Sequence, residues 1–96
     1  MNQNEIIKNK VAKLVNQYNV GNFKLVIKEV NPLLKKLPNN SFLLNLLGSS
    51  YQKIGHYETA MKNFNQVLVK EPQNLAAMNN LANTFRDMLR FKDAEE

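Results

Sequence analysis

The side chains able to do chemistry are few in this chain. Its one histidine, His56, lies two residues before Glu58 in the phrase IGHYE. A His–Glu pair is a minimal unit of general acid–base chemistry. Here it falls in the short break between two apolar, helix-like runs, where a polar residue more simply begins a helix. The chain has no cysteine, so it has no thiolate nucleophile or metal ligand and no disulfide framework. No His/Asp/Glu set stands at metal-ligand spacing. There is no glycine-rich phosphate loop and no Ser–His–Asp combination. The sequence points away from an enzyme and calls for no metal and no cofactor.

The remaining polar chemistry is that of ammonium and amide groups. Residues 1–40 carry seven Lys against two Glu, a balance of +5. Residues 41–74 carry three Lys against two Glu, and residues 75–96 three Lys/Arg against four Asp/Glu. A local basic field can attract nucleic acid or an anionic surface. No RGG run, RNP-like aromatic motif or zinc-finger spacing accompanies these lysines. They read as a solvated helix face, and nucleic acid is not an expected partner.

Elements are needed to position these groups, and the length of 96 residues allows one small domain, residues 1–96. The opening MNQNEIIKNK lacks the apolar core of a secretory signal. No apolar run is long enough for a transmembrane helix. No membrane partner and a cytoplasmic location are therefore expected.

Internal similarity organises the rest. Gly21, Phe23 and Pro38 return 34 residues later as Gly55, Tyr57 and Pro72. Leu47, Tyr51 and Tyr57 return in the same step as Leu81, Phe85 and Phe91, and Gly48 and Ala60 as Ala82 and Ala94. Within the middle unit, Leu44, Leu47, Tyr51 and Ile54 mark one face of a helix. Tyr57, Ala60, Met61, Phe64, Val67 and Leu68 mark a second. Gly55 separates them, as a residue able to take positive φ can. Asn40 and Asn74 suit helix N-caps, and Pro38 and Pro72 stop the preceding helices. The pattern predicts helices over 4–19, 23–36, 41–54, 58–70 and 75–89, with a sixth starting near 92.

Gly48 is costly inside a helix, by ~0.5–1 kcal/mol relative to alanine. Space for a neighbouring helix is the expected reason, with Ala60 facing it and Tyr51 and Phe64 alongside. Replacing Gly48 by Leu is expected to destabilise by ~1–3 kcal/mol through overpacking.

The middle unit, with Leu44, Leu47-Gly48, Tyr51, Gly55, Tyr57, Ala60, Phe64, Val67 and Pro72, resembles the tetratricopeptide repeat. It departs from that motif at Leu44 and Val67, where Trp and Ala are usual. The third unit, with Met78, Leu81-Ala82, Phe85, Phe91 and Ala94, is similar but holds Leu89 at the turn glycine. In the first unit Gly21, Phe23, Val26, Val30, Leu33 and Pro38 match, and one deleted residue before Gly21 brings Val11, Leu14-Val15 and Tyr18 into place. Without that deletion Lys10, Lys13 and Gln17 would face the core, at a high desolvation cost. The resemblance implies an all-α right-handed superhelix of antiparallel helix hairpins, an alpha-alpha solenoid. It would have about 2.5 repeats, at about 8–40, 41–74 and 75–96, the last truncated. A narrower similarity is to the N-terminal repeats of bacterial proteins of this kind that carry a sulfotransferase or glycosyltransferase domain downstream. The chain would then be their scaffold fragment.

The resemblance further implies a protein-interaction scaffold. Its concave face would hold an extended peptide or partner protein. The residues lining that face would be Asn9, Lys13 and Asn16, then Asn45, Ser49, Gln52 and Lys53, then Asn79, Asn80, Asn83 and Arg86. Amides donate and accept, which suits a peptide backbone. The two-carboxylate clamp of chaperone-binding members would fall on Ala12, Asn16, Leu46, Ala76 and Asn80, where only Asn16 fits. A chaperone-tail adaptor is therefore not expected. No capping helix is expected from the residues of the third unit. Met78, Leu81, Phe85, Met88 and Phe91 are accordingly expected to form an apolar self-association patch. It would be covered by further chain, in a concentration-dependent homodimer, or by a helix exchanged between two copies.

Overall fold

Gly21 and Gly55 take positive φ, 89° and 85°, and each ends a helix in the same way. The Gly21 N–H donates to the Tyr18 carbonyl at 3.0 Å and Asn22 N–H to Gln17 at 2.9 Å. One repeat later, Gly55 donates to Gln52 at 3.0 Å and His56 to Tyr51 at 2.9 Å. This paired return of N–H groups onto the last carbonyls is the Schellman arrangement, and glycine adopts it without Cβ strain. The computed structural model describes residues 2–95. Five helices are formed: α1 (Gln3–Asn19), α2 (Phe23–Lys36), α3 (Ser41–Lys53), α4 (Tyr57–Lys70) and α5 (Leu75–Glu95). No strand occurs among the described residues.

Asparagines start three of the helices. Asn2 Oδ1 accepts from Glu5 N–H at 2.8 Å, Asn40 Oδ1 from Leu43 N–H at 2.9 Å and Asn74 Oδ1 from Ala77 N–H at 2.9 Å. Each bond satisfies one of the donors that a helix start leaves open. The first four helices agree with the predicted spans to within a residue.

The expected sixth helix near 92 is not a separate element. Position 89, equivalent to Gly21 and Gly55, is Leu, and among the described residues none other than glycine has positive φ. Nothing breaks the run MLRFKDAE, which is rich in good helix formers, so α5 continues to Glu95.

Each helix packs on the next in the chain, and α3 also reaches α5. The body measures 53 × 29 × 19 Å. One apolar cluster joins α1, α2 and α3 through Leu14, Val26, Val30, Leu33, Leu43, Leu46 and Leu47, with Val11, Tyr18 and Tyr51 packed against it. A second joins α3, α4 and α5 through Leu44, Val67 and Ala77. In α1 the apolar face is Val11, Leu14 and Tyr18, while Lys10 and Lys13 are exposed. Phe64 is fully enclosed and lies directly over Gly48. A Cβ added there would sit 2.6 Å from the Phe64 Cε1. Gly48 therefore accommodates the ring itself rather than only the α4 backbone. Ser50 and Thr84, also 34 residues apart, are wholly buried. Their hydroxyls donate to the Leu46 and Asn80 carbonyls at 2.9 and 2.7 Å, so neither leaves an unsatisfied donor in the interior.

Candidate peptide-binding face

The cap of α5 organises a polar site on α3. Asn74 must present its oxygen to the Ala77 N–H, and its Nδ2 donates to Glu71 Oε1 at 3.2 Å. The same oxygen accepts from Asn45 Nδ2 at 3.4 Å. Because the cap fixes Asn74, the Asn45 amide is fixed in turn, with its nitrogen toward Asn74. Its Oδ1 is buried and receives no hydrogen bond. A buried carbonyl left without a donor destabilises by ~1–3 kcal/mol.

Asn45 lines a cleft of about 210 Å³ together with Tyr18, Phe42, Leu46, Ser49 and Ala76. Helices α1, α3 and α5 all contribute to it. Phe42 is 53% exposed. The cleft thus offers an apolar wall, the Asn45 side chain at its edge and the hydroxyl of Ser49. An N–H donor with an adjacent apolar side chain, the repeating chemistry of a peptide, would match it.

Of the residues expected on the concave face, Asn45 and Ser49 meet in this cleft. Gln52 is half-buried, and its Nε2 donates to Asp87 Oδ2 at 2.9 Å, tying α3 to α5. Arg86 Nη2 donates to Asn83 Oδ1 at 2.6 Å on the exposed side of α5. Asn79 and Lys53 are exposed and Asn80 is half-buried. Asn9 and Asn16 are exposed on α1. Lys13 lines a different groove, between α1 and α2. Tyr18, Phe42, Leu46 and Ala76 were not among the expected binding residues. Tyr18 reads as core, and Leu46 and Ala76 are apolar positions where a clamp needs polar groups. Phe42 carries the one available signal, an aromatic residue off the apolar face Leu44/Leu47/Tyr51/Ile54.

The acid–base candidates are not brought together for chemistry. His56 and Glu58 are exposed, and the His56 ring stacks on Tyr51 at 5.9 Å between centroids and 17° between planes. Among the described residues no group of three or more His, Asp or Glu side chains could hold a metal ion. No helix there is long and apolar enough to cross a membrane.

A second apolar groove, about 590 Å³, runs between α4 and α5. Met61, Leu68, Met78, Leu81, Ala82 and Phe85 supply its apolar lining and Asn65 its one polar residue. Three of the five expected self-association residues, Met78, Leu81 and Phe85, line it. Met88 is half-buried. Phe91 leans toward Tyr57, with ring centroids 6.2 Å apart.

Comparison with known protein families, with curated proteins and with solved structures gave no match.

Proposed function

We propose that this chain is a tetratricopeptide-type scaffold that holds an extended segment of a partner protein on a concave, amide-rich face. The glycine-terminated helices, the 34-residue recurrence of Gly21 with Gly55 and of Ser50 with Thr84, and the seating of Phe64 on Gly48 all support this reading. The observation that carries it is the cleft where Asn45 and Ser49 of α3 meet the rings of Tyr18 and Phe42. The Ser49 hydroxyl can accept a ligand's N–H or donate to its carbonyl. A bulky ligand side chain would rest on Phe42 as an anchor. The chain acts by binding, in the cytoplasm, and performs no catalysis of its own.

The test is selection of peptides from a random phage-displayed library on the wild-type chain, followed by titration calorimetry of the selected peptide. Phe42→Ala combined with Asn45→Ala is expected to weaken binding at least tenfold, about 1.4 kcal/mol. The melting temperature should hold, since an unsatisfied buried oxygen is removed. Equal binding by this double variant would refute the cleft as the anchor.

A second reading, self-association, is favoured by the α4–α5 groove and by Phe85, which is 51% exposed. Sedimentation velocity should then detect a concentration-dependent dimer that Phe85→Glu abolishes. A monomer at every concentration would remove this reading.

A further inference from the structure

A third groove lies on the other hairpin, between α1 and α2, and the peptide cleft does not account for it. Its volume is about 500 Å³, and Lys10, Lys13, Leu14, Lys28, Glu29, Pro32 and Leu33 line it. Grooves of ~300–1,000 Å³ are the size that receives side chains or small ligands. The floor is apolar and rigid: Leu14 is 3% and Leu33 6% exposed, and both belong to the main core cluster. The three lysines are exposed, and among the described residues none is paired with a carboxylate. Lys10 and Lys13 are three residues apart, so they share one face of α1. Lys28 comes from α2. Pro32 stands inside α2 and has no N–H, so it cannot satisfy the Lys28 carbonyl as the helix ladder otherwise would.

We infer that this α1–α2 groove is a second protein-binding site, one that takes an acidic amphipathic helix from a partner. Each part of the lining selects for that occupant. Three like charges on two helices repel one another, and a ligand carboxylate relieves that repulsion as it binds. The aliphatic floor of Leu14, Pro32 and Leu33 suits a leucine-type side chain presented at helical spacing. Nucleic acid fits less well. No aromatic side chain lines the groove to stack a base. A concave groove does not lie flat on an anionic membrane. This site uses none of the residues of the Asn45 cleft, so either can fail without the other.

The test uses the full chain and a fluorescein-labelled synthetic helix with leucines at heptad spacing flanked by glutamates. Anisotropy measures affinity, and amide shifts of the ¹⁵N-labelled protein locate the contact. Saturable binding is expected, with shifts clustered at Leu14, Lys28 and Leu33 and not at Asn45 and Ser49. Lys10→Glu combined with Lys28→Glu should weaken binding about tenfold, and the milder Lys10→Gln with Lys28→Gln by less. Glu29→Gln should strengthen it. All of these residues are exposed, so helicity should be kept. Absence of binding, unchanged affinity in both lysine variants, or shifts confined to the Asn45 cleft would overturn the inference. So would a uridine oligonucleotide that moves the same amides at lower concentration than the peptide does, which would assign the groove to nucleic acid.

Discussion

Replacing Gly48 by alanine should destabilise the protein, although alanine is the better helix former. A Cβ at position 48 would lie 2.6, 2.8 and 3.0 Å from three carbons of the Phe64 ring, where carbon atoms in contact settle at ~3.5–4.0 Å. The ring cannot yield toward solvent, because Phe64 has no exposed surface, and Ala60 on the same helix has none either. Relief requires an off-rotamer ring or a separation of α3 from α4. Overpacking of this kind destabilises by ~1–3 kcal/mol. Against it stands the gain in helix propensity, about 1 kcal/mol. The enclosed ring favours the upper part of the range, giving a net loss of about 1–2 kcal/mol. For a domain of this size that lowers the melting temperature by roughly 4–16 °C. The decisive assay is a double-mutant cycle by urea denaturation. In a Phe64→Leu background the two nearest ring carbons, Cε1 and Cζ, are gone, so the cost of Gly48→Ala should shrink by about 1 kcal/mol or more. A rise in stability on Gly48→Ala alone, or the same effect in both backgrounds, would refute the account.

Two further substitutions probe the helix ends. Asn74→Ala removes the α5 cap and the partner of Asn45 together and should lower stability by about 1–2 kcal/mol in urea denaturation; Asn74→Ser, another good cap, should restore most of it, and a serine variant as unstable as the alanine variant would count against the capping role. Leu89→Gly supplies the missing breaker at a cost of about 1 kcal/mol, so amide exchange over residues 90–94 should quicken about fivefold while α3 and α4 keep their protection. Leu89→Ala should not quicken it, and equal acceleration in both variants would show that the glycine is not what matters.

Much of the helical framework was legible from residue types. Gly21 and Gly55 announced positive-φ helix ends, Asn40 and Asn74 announced caps, and the spacing of Leu44, Leu47 and Tyr51 announced a buried face. These are local signals, because a cap or a Schellman turn is made by residues within six positions of one another. The sixth helix failed for the same reason in reverse. Phe91 and Ala94 repeat the opening of a second helix, but the break before them depends on position 89, and leucine there supplies none. The candidate site was only half legible. Asn45 and Ser49 were expected on a binding face, whereas Tyr18 and Phe42 were not. Nothing in their spacing says that rings from α1 and α3 border one cleft.

What the sequence determined by itself is the division into helices up to Met88 and the apolar stripe that each must bury, since caps, breakers and periodicity act within a single turn or two. Only the tertiary structure decided that the Phe64 ring rests on Gly48, that capping α5 leaves the Asn45 oxygen without a donor, and that Lys13 faces Lys28 across a groove instead of joining the amides of α3. Each of these joins residues 15 to 29 positions apart. Their distance depends on how whole helices pack, and packing is set by the shapes of many side chains at once.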